Sequence, residues 1–317
     1  MAATDRLIWV DGTLRPWAEA TVHVMSHSHQ RGSLVFDYMS VHSVPRGAAI
    51  FRLREHVDRF FHSCEMMGLP VDQSPDALCE AICETVRMNP GARAVKMSGY
   101  FASVEIDVVP VDTHVSIAIA AYDPKVDITD RISQPAPARA RHLKLWIEKV
   151  RANRRDDIVS PQVKVSANYA SPMTAKVRAR AQGYDEIILV DEDGHLAEGP
   201  TTNLFLVDDA GQLLTPQSAK VLHGVTRSAI IELAQSEGIP VREAQLKPDA
   251  LLNASEAFLT GTTAGVWPVE SVDGKTLGQP CPGPIAMRLS DRFRRASAGE
   301  DPEFEHWLTV VEDAPSE

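Results

Sequence analysis

Cysteine is scarce. Cys64, Cys79, Cys83 and Cys281 are the four in 317 residues, and no two stand in a Cys-x-x-Cys pair. That excludes a disulfide framework and a cysteine zinc site, and the expectation is reduced, mostly buried thiols of a cytoplasmic protein. No run approaches 18 apolar residues, and the first residues carry no basic patch followed by an apolar stretch. Neither a membrane span nor a signal peptide is therefore expected. Basic residues are the minority, 32 against 43 acidic, for a net charge of −11. A surface of that sign argues against nucleic acid or an anionic membrane as partner. Internal repeats and low-complexity tracts are absent as well. What is left is an ordinary globular composition, 44% hydrophobic and 24% charged, at a length that suits two domains.

The elements alternate in type along the chain. Leu7-Ile8-Trp9-Val10 reads as a strand entering an Asp11-Gly12 turn, and residues 21–24 continue in strand character. His23, His27 and His29 follow closely, but their spacing fits no strong zinc pattern and no metal is expected. Val57, Phe60, Phe61, Cys64 and Met67 form an apolar stripe on a helix over 54–67 that Gly68 ends. Ser74-Pro75 opens a second helix. Residues 94–101 and 115–122 read as strands, completing a small α+β domain over 1–122 within an α/β chain. The polar, proline-punctuated stretch 123–137 reads as an interdomain loop, leaving a larger domain over 138–317. There, residues 142–150 alternate, with Leu143, Leu145 and Ile147 on one face and Lys144, Trp146 and Glu148 on the other. Arg151, Arg154 and Arg155 meet Asp156-Asp157 at once, the pattern of a salt-bridged loop rather than a phosphate track.

Lys164 stands between Val163 and Val165. On an extended segment it turns to one side and the valines to the other. A lysine carried into an enclosed site loses hydration, its pKa falls, and the amine becomes a nucleophile able to form a Schiff base with an aldehyde. An edge-strand lysine that keeps its charge in water is the plain alternative. Lys164 is followed by Tyr169 and then by Glu198-Gly199-Pro200-Thr201-Thr202-Asn203-Leu204-Phe205. Further on, Gly224-Val225-Thr226 precedes a helix, and Gly261-Thr262-Thr263-Ala264 makes a small hydroxyl-bearing turn. Each could cradle a phosphate, or serve only as a cap or turn.

At this separation, the Lys164, Tyr169 and Glu198–Phe205 pattern resembles the class IV aminotransferases, and most closely the branched-chain amino acid aminotransferases. The resemblance covers the chain from about Ile8 to Trp307. It implies a two-domain fold type IV enzyme, D-amino acid aminotransferase-like, with pyridoxal 5'-phosphate as cofactor. It implies that Lys164 holds the cofactor and shuttles the proton, that Glu198 pairs with the pyridine nitrogen, and that Tyr169 bonds the phenolic oxygen. Arg59, Val225, Thr226 and Thr262 match the phosphate donors and Leu222 the residue under the ring. Thr263, with Ala264 beside it, matches the backbone that receives the substrate carboxylate. The implied partners are a small-molecule amino donor and a 2-oxo acid acceptor, and the implied assembly is a homodimer.

The pocket positions depart from the branched-chain pattern. Arg31-Gly32 stands for a usual Tyr-Gly, and Phe36-Asp37-Tyr38 for Phe-Glu-Gly. Lys96 or Ser98 takes the place of a second arginine. Arg31, Phe36, Tyr38 and Ser98 are thus the expected substrate contacts. An arginine at position 31 resembles (R)-selective amine transaminases and some D-amino acid enzymes, so altered specificity in that direction is expected. An ordinary branched-chain enzyme, a lyase of the aminodeoxychorismate type and a non-enzymatic oligomeric binding protein remain as alternatives.

Overall fold

The computed structural model describes residues 5–132, 140–278 and 280–312, without the side chains of 150–154 and 218. The chain divides into two compact units. One comprises Met1–Ala138, Val163–Ala167 and Ala296–Glu317, the other Arg139–Gln162 and Asn168–Arg295. This differs from the expected boundaries in two places, because residues 163–167 and 296–317 belong with the first unit rather than with the C-terminal one. The reason is backbone pairing: Val165 bridges Val35, and the strand Leu308–Val311 pairs with the one that begins at Gly47. Part of the expected loop over 123–137 forms short helical turns at Pro124–Ile128 and Thr129–Arg131, and its end lies outside the described residues.

The first unit is a seven-stranded sheet. In chain order its first six strands are β1 (Leu7–Val10), β2 (Thr13–Pro16), β3 (Val35–Val44), β4 (Gly47–Phe51), β5 (Ala94–Tyr100) and β6 (Ser116–Tyr122), with the short helix α1 (His27–Arg31) ahead of β3. Their spatial order, starting from the C-terminal strand Leu308–Val311, is β4, β3, β5, β6, β1, β2. The alternation of side chains along a strand divides them between two faces. Asp37 and Met39 of β3 with Val95 and Met97 of β5 are buried, on the face that also packs the helix α2 (Leu53–Met67). Gly99 is required on that face, because an added Cβ would sit 2.8 Å from the Phe60 ring. Burying a side chain the size of Phe60 is worth about 1.5–3 kcal/mol. A second helix, α3 (Pro75–Arg87), starts where Ser74 Oγ accepts from Ala77 N at 3.2 Å. The opposite face carries Phe36, Tyr38, Lys96 and Ser98. The expected strand over 21–24 does not form, since these residues are exposed and lack a pairing edge.

The second unit is an eight-stranded sheet, counting one short strand at its side. Its strands are β7 (Leu143–Arg154), β8 (Glu186–Asp191), β9 (Asn203–Val207), β10 (Leu213–Pro216), β11 (Val241–Ala244), β12 (Glu256–Gly261), β13 (Gly265–Val272) and β14 (Lys275–Thr276). The order is β11-β10-β9-β12-β13-β7-β8, with β14 on β13; β8, β13 and β7 run parallel where they pair. A helix, α4 (Ala170–Ala181), brings Ala175 and Ala179 onto Ile187 and Leu189. The opposite face is a larger core built on Leu143, Leu145, Ile147, Leu204 and Leu259. Both faces are thus covered. Glu148, expected to face outward, is therefore buried, and its charge is met by Arg178 at 2.6 Å. Among the described residues, no helix is long and apolar enough to cross a membrane. Cys64 is buried, whereas Cys79, Cys83 and Cys281 are half-buried, so the thiols are less enclosed than expected. Of the expected loop ion pairs, Arg155 meets Asp157 at 2.6 Å, whereas Asp156 pairs instead with the distant Lys220 at 2.9 Å.

Candidate active site

In the first unit, the lysine segment occupies the edge of β3 where that strand begins. Phe36 N donates to Lys164 O at 3.0 Å, Ser166 N to Leu34 O at 2.8 Å, and Lys164 N to Ser63 Oγ of α2 at 3.1 Å. Val163 and Val165 are buried and Lys164 turns to the other side, as the spacing requires. Its Nζ lies 5.0 Å from the centroid of the Phe36 ring. Lys96 Nζ lies 4.9 Å from the same ring, so both ammonium groups share one aromatic platform. Partial burial, and then the charge of Lys164, lower the pKa of Lys96. Ser98 stands opposite Phe36 in register and Tyr38 opposite Lys96. Arg31 is placed differently, its Nη2 donating to Ile106 O.

Arg59 of α2 does not snorkel. Its Nε donates to Asp37 Oδ2 at 2.9 Å and its Nη2 to Asp37 Oδ1 at 2.8 Å, a two-point grip that fixes the guanidinium plane. His56 Nδ1 lies 2.7 Å from Asp37 Oδ1. Burial by itself would raise the pKa of Asp37, but the charge of Arg59 and the hydrogen bonds from Arg59 and His56 outweigh it and hold the carboxyl ionised far below its ordinary range. Burial lowers His56 despite that carboxylate. A neutral ring beside an ionised carboxylate must donate from Nδ1, which leaves Nε2 as a buried acceptor without a partner among the described residues. Neither Asp37 nor His56 stands out in the sequence for this role. The signal was the 19- and 22-residue separations that bring a strand aspartate onto two successive turns of α2.

In the second unit, Glu198 is buried. Its Oε2 accepts from Asn203 Nδ2 at 3.0 Å, and its Oε1 from Leu222 N at 3.1 Å. Asn203 Nδ2 also donates to Leu222 O at 3.0 Å. Gly199 makes the turn possible, because a Cβ there would collide with Thr202 Oγ1. The helix α5 (Val225–Ser236) starts at Gly224 with no side-chain cap. Thr226 is thus not the N-cap but lies in the first turn, buried with Val225. A Cβ on Gly224 would collide with the Asn203 amide oxygen. Thr262, Thr263 and Ala264 form the turn between β12 and β13, where Ala264 N donates to Gly261 O at 2.9 Å. Tyr169 ends a short helical turn and leads into α4. A first helical turn without a side-chain cap presents donors to a phosphate, and a buried carboxylate suits a protonated ring nitrogen. The buried hydroxyls of Thr202 and Thr260 have no partner among the described residues. These residues fit a phosphorylated pyridine cofactor.

Within the described residues, His23, His27 and His29 do not gather ligand atoms. His27 Nε2 is 2.9 Å from Val108 O. The acidic turn of Asp191, Asp193 and His195 does bring three such atoms together, with Asp191 Oδ1 accepting from the backbone of the other two residues.

Residues 34–272 match the family model described as Amino-transferase class IV. A branched-chain-amino-acid aminotransferase of Pseudomonas aeruginosa is 31% identical over 98% of this chain and 99% of its own length. One from Escherichia coli is 33% identical over 96% and 97%. A solved branched-chain amino acid aminotransferase from T.th., with pyridoxamine 5'-phosphate, superposes with a TM-score of 0.88 at 32% identity, covering 98% of this chain and 100% of that one. With these matches spanning both units and the whole lysine-to-glutamate pattern, the chain belongs to the class IV aminotransferases and is an aminotransferase of the branched-chain-like, fold type IV kind.

Proposed function

We propose that this enzyme moves the amino group of branched-chain L-amino acids to 2-oxoglutarate. The observation that carries this reading is the Phe36 platform, with Lys164 on it for proton transfer and Lys96 on it for a second carboxylate. The expected shift toward (R)-amines or D-amino acids finds no support in these relatives, which bear branched-chain names. Arg31 also gives its guanidinium to a backbone carbonyl, which leaves little reason to read it as the determinant of a new substrate. Arginine and tyrosine at positions 31 and 38 are then variations within a branched-chain enzyme.

The cofactor, pyridoxal 5'-phosphate, supplies an electron-withdrawing ring that stabilises negative charge at the substrate Cα. Glu198, a buried carboxylate, would keep the ring nitrogen protonated. Arg59, Val225, Thr226 and Thr262 would hold the phosphate, Tyr169 would bond the ring oxygen, and Leu222 would give the ring apolar contact. Lys164 binds the cofactor and acts as base and then acid on the Cα proton. Backbone donors at Thr263 and Ala264 receive the α-carboxylate. Phe36, Tyr38 and Ser98 line the path of the side chain, with Arg31 at its edge.

The site works in a cytoplasmic homodimer, a reading supported by the free thiols and by an exposed apolar loop. Ile106 and Val111 of that loop are 91% and 86% exposed, and side chains so placed call for a partner surface. The experiment is a visible spectrum of the holoenzyme titrated with L-leucine, L-glutamate, D-alanine and both enantiomers of 1-phenylethylamine. Leucine and glutamate should bleach the yellow form fastest. Faster bleaching by D-alanine or the (R)-amine would overturn the substrate assignment.

A further inference from the structure

Phe36, Tyr38, Lys96 and Ser98 belong to a wider surface. The face of the first sheet opposite α2 carries a cavity of about 450 Å³, within the roughly 300–1,000 Å³ range of small-molecule sites. A leucine side chain would leave most of it empty. The register shows how it is built. One row across the sheet reads Arg15, Ile8, Ala120, Lys96, Tyr38. The next reads Val10, Ala118, Ser98, Phe36. The middle of the floor is made of small residues, and it is this lack of side chain that opens the space. Lys96 and Arg15 stand three strands apart on the first row, and both line the cavity. Among the described residues, neither Lys96 nor Arg15 has a carboxylate partner. Glu19 is the one carboxylate among the lining residues.

We propose that this groove takes the distal carboxylate of dicarboxylic amino acids and 2-oxo acids with side chains longer than glutamate's. This deepens the transaminase reading and rests on it. Three strand spacings separate the Arg15 and Lys96 backbones, roughly 14 Å. Lys96, whose Nζ lies 4.9 Å from the Phe36 ring that Lys164 also faces, lines one end of the cavity and Arg15 the other, and two long cationic side chains can reach toward each other over that span. Ala118, Ala120 and Ser98 leave the passage open, and Ile8 and Val10 supply apolar contact for the methylenes. Lys96 and Arg15 supply the anion preference, two positive charges at the cavity wall with no carboxylate partner among the described residues.

The test is the single-turnover bleaching of the holoenzyme by L-leucine, L-glutamate, L-2-aminoadipate and L-2-aminopimelate. It is run on the wild type and on Lys96→Met, Arg15→Met and Ala120→Leu. Binding of the unreactive diacid pimelate is followed by calorimetry alongside. The wild type should accept the six- and seven-carbon donors at least as fast as glutamate. Arg15→Met and Ala120→Leu should each slow the seven-carbon donor about tenfold relative to glutamate and weaken pimelate binding. Lys96→Met should slow every dicarboxylate. A steep fall in rate beyond glutamate in the wild type would overturn the groove, as would unchanged donor ratios in both Arg15→Met and Ala120→Leu. Bleaching by leucine alone overturns the groove and leaves the transaminase standing; bleaching by no donor overturns both.

Discussion

Asn203 holds Glu198 by an Nδ2 to Oε2 hydrogen bond of 3.0 Å, and the same nitrogen donates to Leu222 O at 3.0 Å. An amide nitrogen has two hydrogens, so one side chain can fix both the carboxylate and the segment that leads into α5. If Glu198 meets the ring nitrogen as proposed, Asn203 would act on the cofactor through it. Asn203→Ala frees the carboxylate, and Asn203→Asp sets a like charge against it. We expect both to weaken cofactor retention about tenfold and to shift the pH titration of the visible band, with Asn203→Asp the worse. Equilibrium dialysis and a spectral titration check this. An unmoved band would mean that Asn203 only packs.

Asp37 should matter as much, from the other unit. Removing one member of a buried ion pair costs about 3–5 kcal/mol, because the remaining charge is left uncompensated. Asp37→Ala should lose stability on that scale in urea unfolding. It should also release the Arg59 guanidinium and so weaken phosphate retention. Asp37→Asn keeps the shape without the charge and should fall between the alanine variant and the wild type.

Gly224→Ala tests the approach of Asn203 to the start of α5. The added Cβ meets the Asn203 amide oxygen and stands 3.2 Å from Arg227 Cβ. Relief requires moving the residue that holds Glu198. We expect a stability loss of about 1–3 kcal/mol together with weaker cofactor binding. A thermal melt with and without added cofactor separates the two effects.

Two histidines contribute to the acid limb of stability. Burial, and then the charge of Arg93, push His42 down to about 4. In the unfolded chain the ring takes up its proton near pH 6.5. Between these values the unfolded state binds more protons, so stability is fully present above pH 6.5 and is lost as pH falls toward 4. His56, also lowered, acts with the same sign. The unfolding free energy from denaturant titrations should fall, below pH 6.5, by at most about 1.4 kcal/mol per pH unit for each such histidine. The slope should be shallower in His42→Gln.

Lys164→Ala should keep the fold, because its backbone bonds to Phe36 and Ser63 do not need the side chain. It should abolish the half-reaction with every donor. Turnover at the normal rate, followed by keto acid release, would remove Lys164 from the chemistry.

Local pattern determined a good deal by itself. The stripe of Val57, Phe60 and Cys64 fixed the face and length of α2, Ser74-Pro75 its neighbour, and the flanking valines the direction in which Lys164 points. These are short-range consequences of helix and strand periods, and nothing distant alters them. The residues at 21–24 had strand composition and no edge to pair with. Glu148 had an outward position on its strand and became buried, because α4 covers that face. Tertiary structure alone decided that Lys164 joins the first unit, since this depends on the pairing of Val165 with Val35, 130 residues earlier in sequence. It alone placed Asp37 against Arg59 and His56, and Asn203 against Glu198 and Gly224. Lys96 and Arg15 likewise came to share a cavity wall only through the register of four strands. Periodicity says which side of an element a residue faces. Only the packing of elements far apart in the chain says what it meets there.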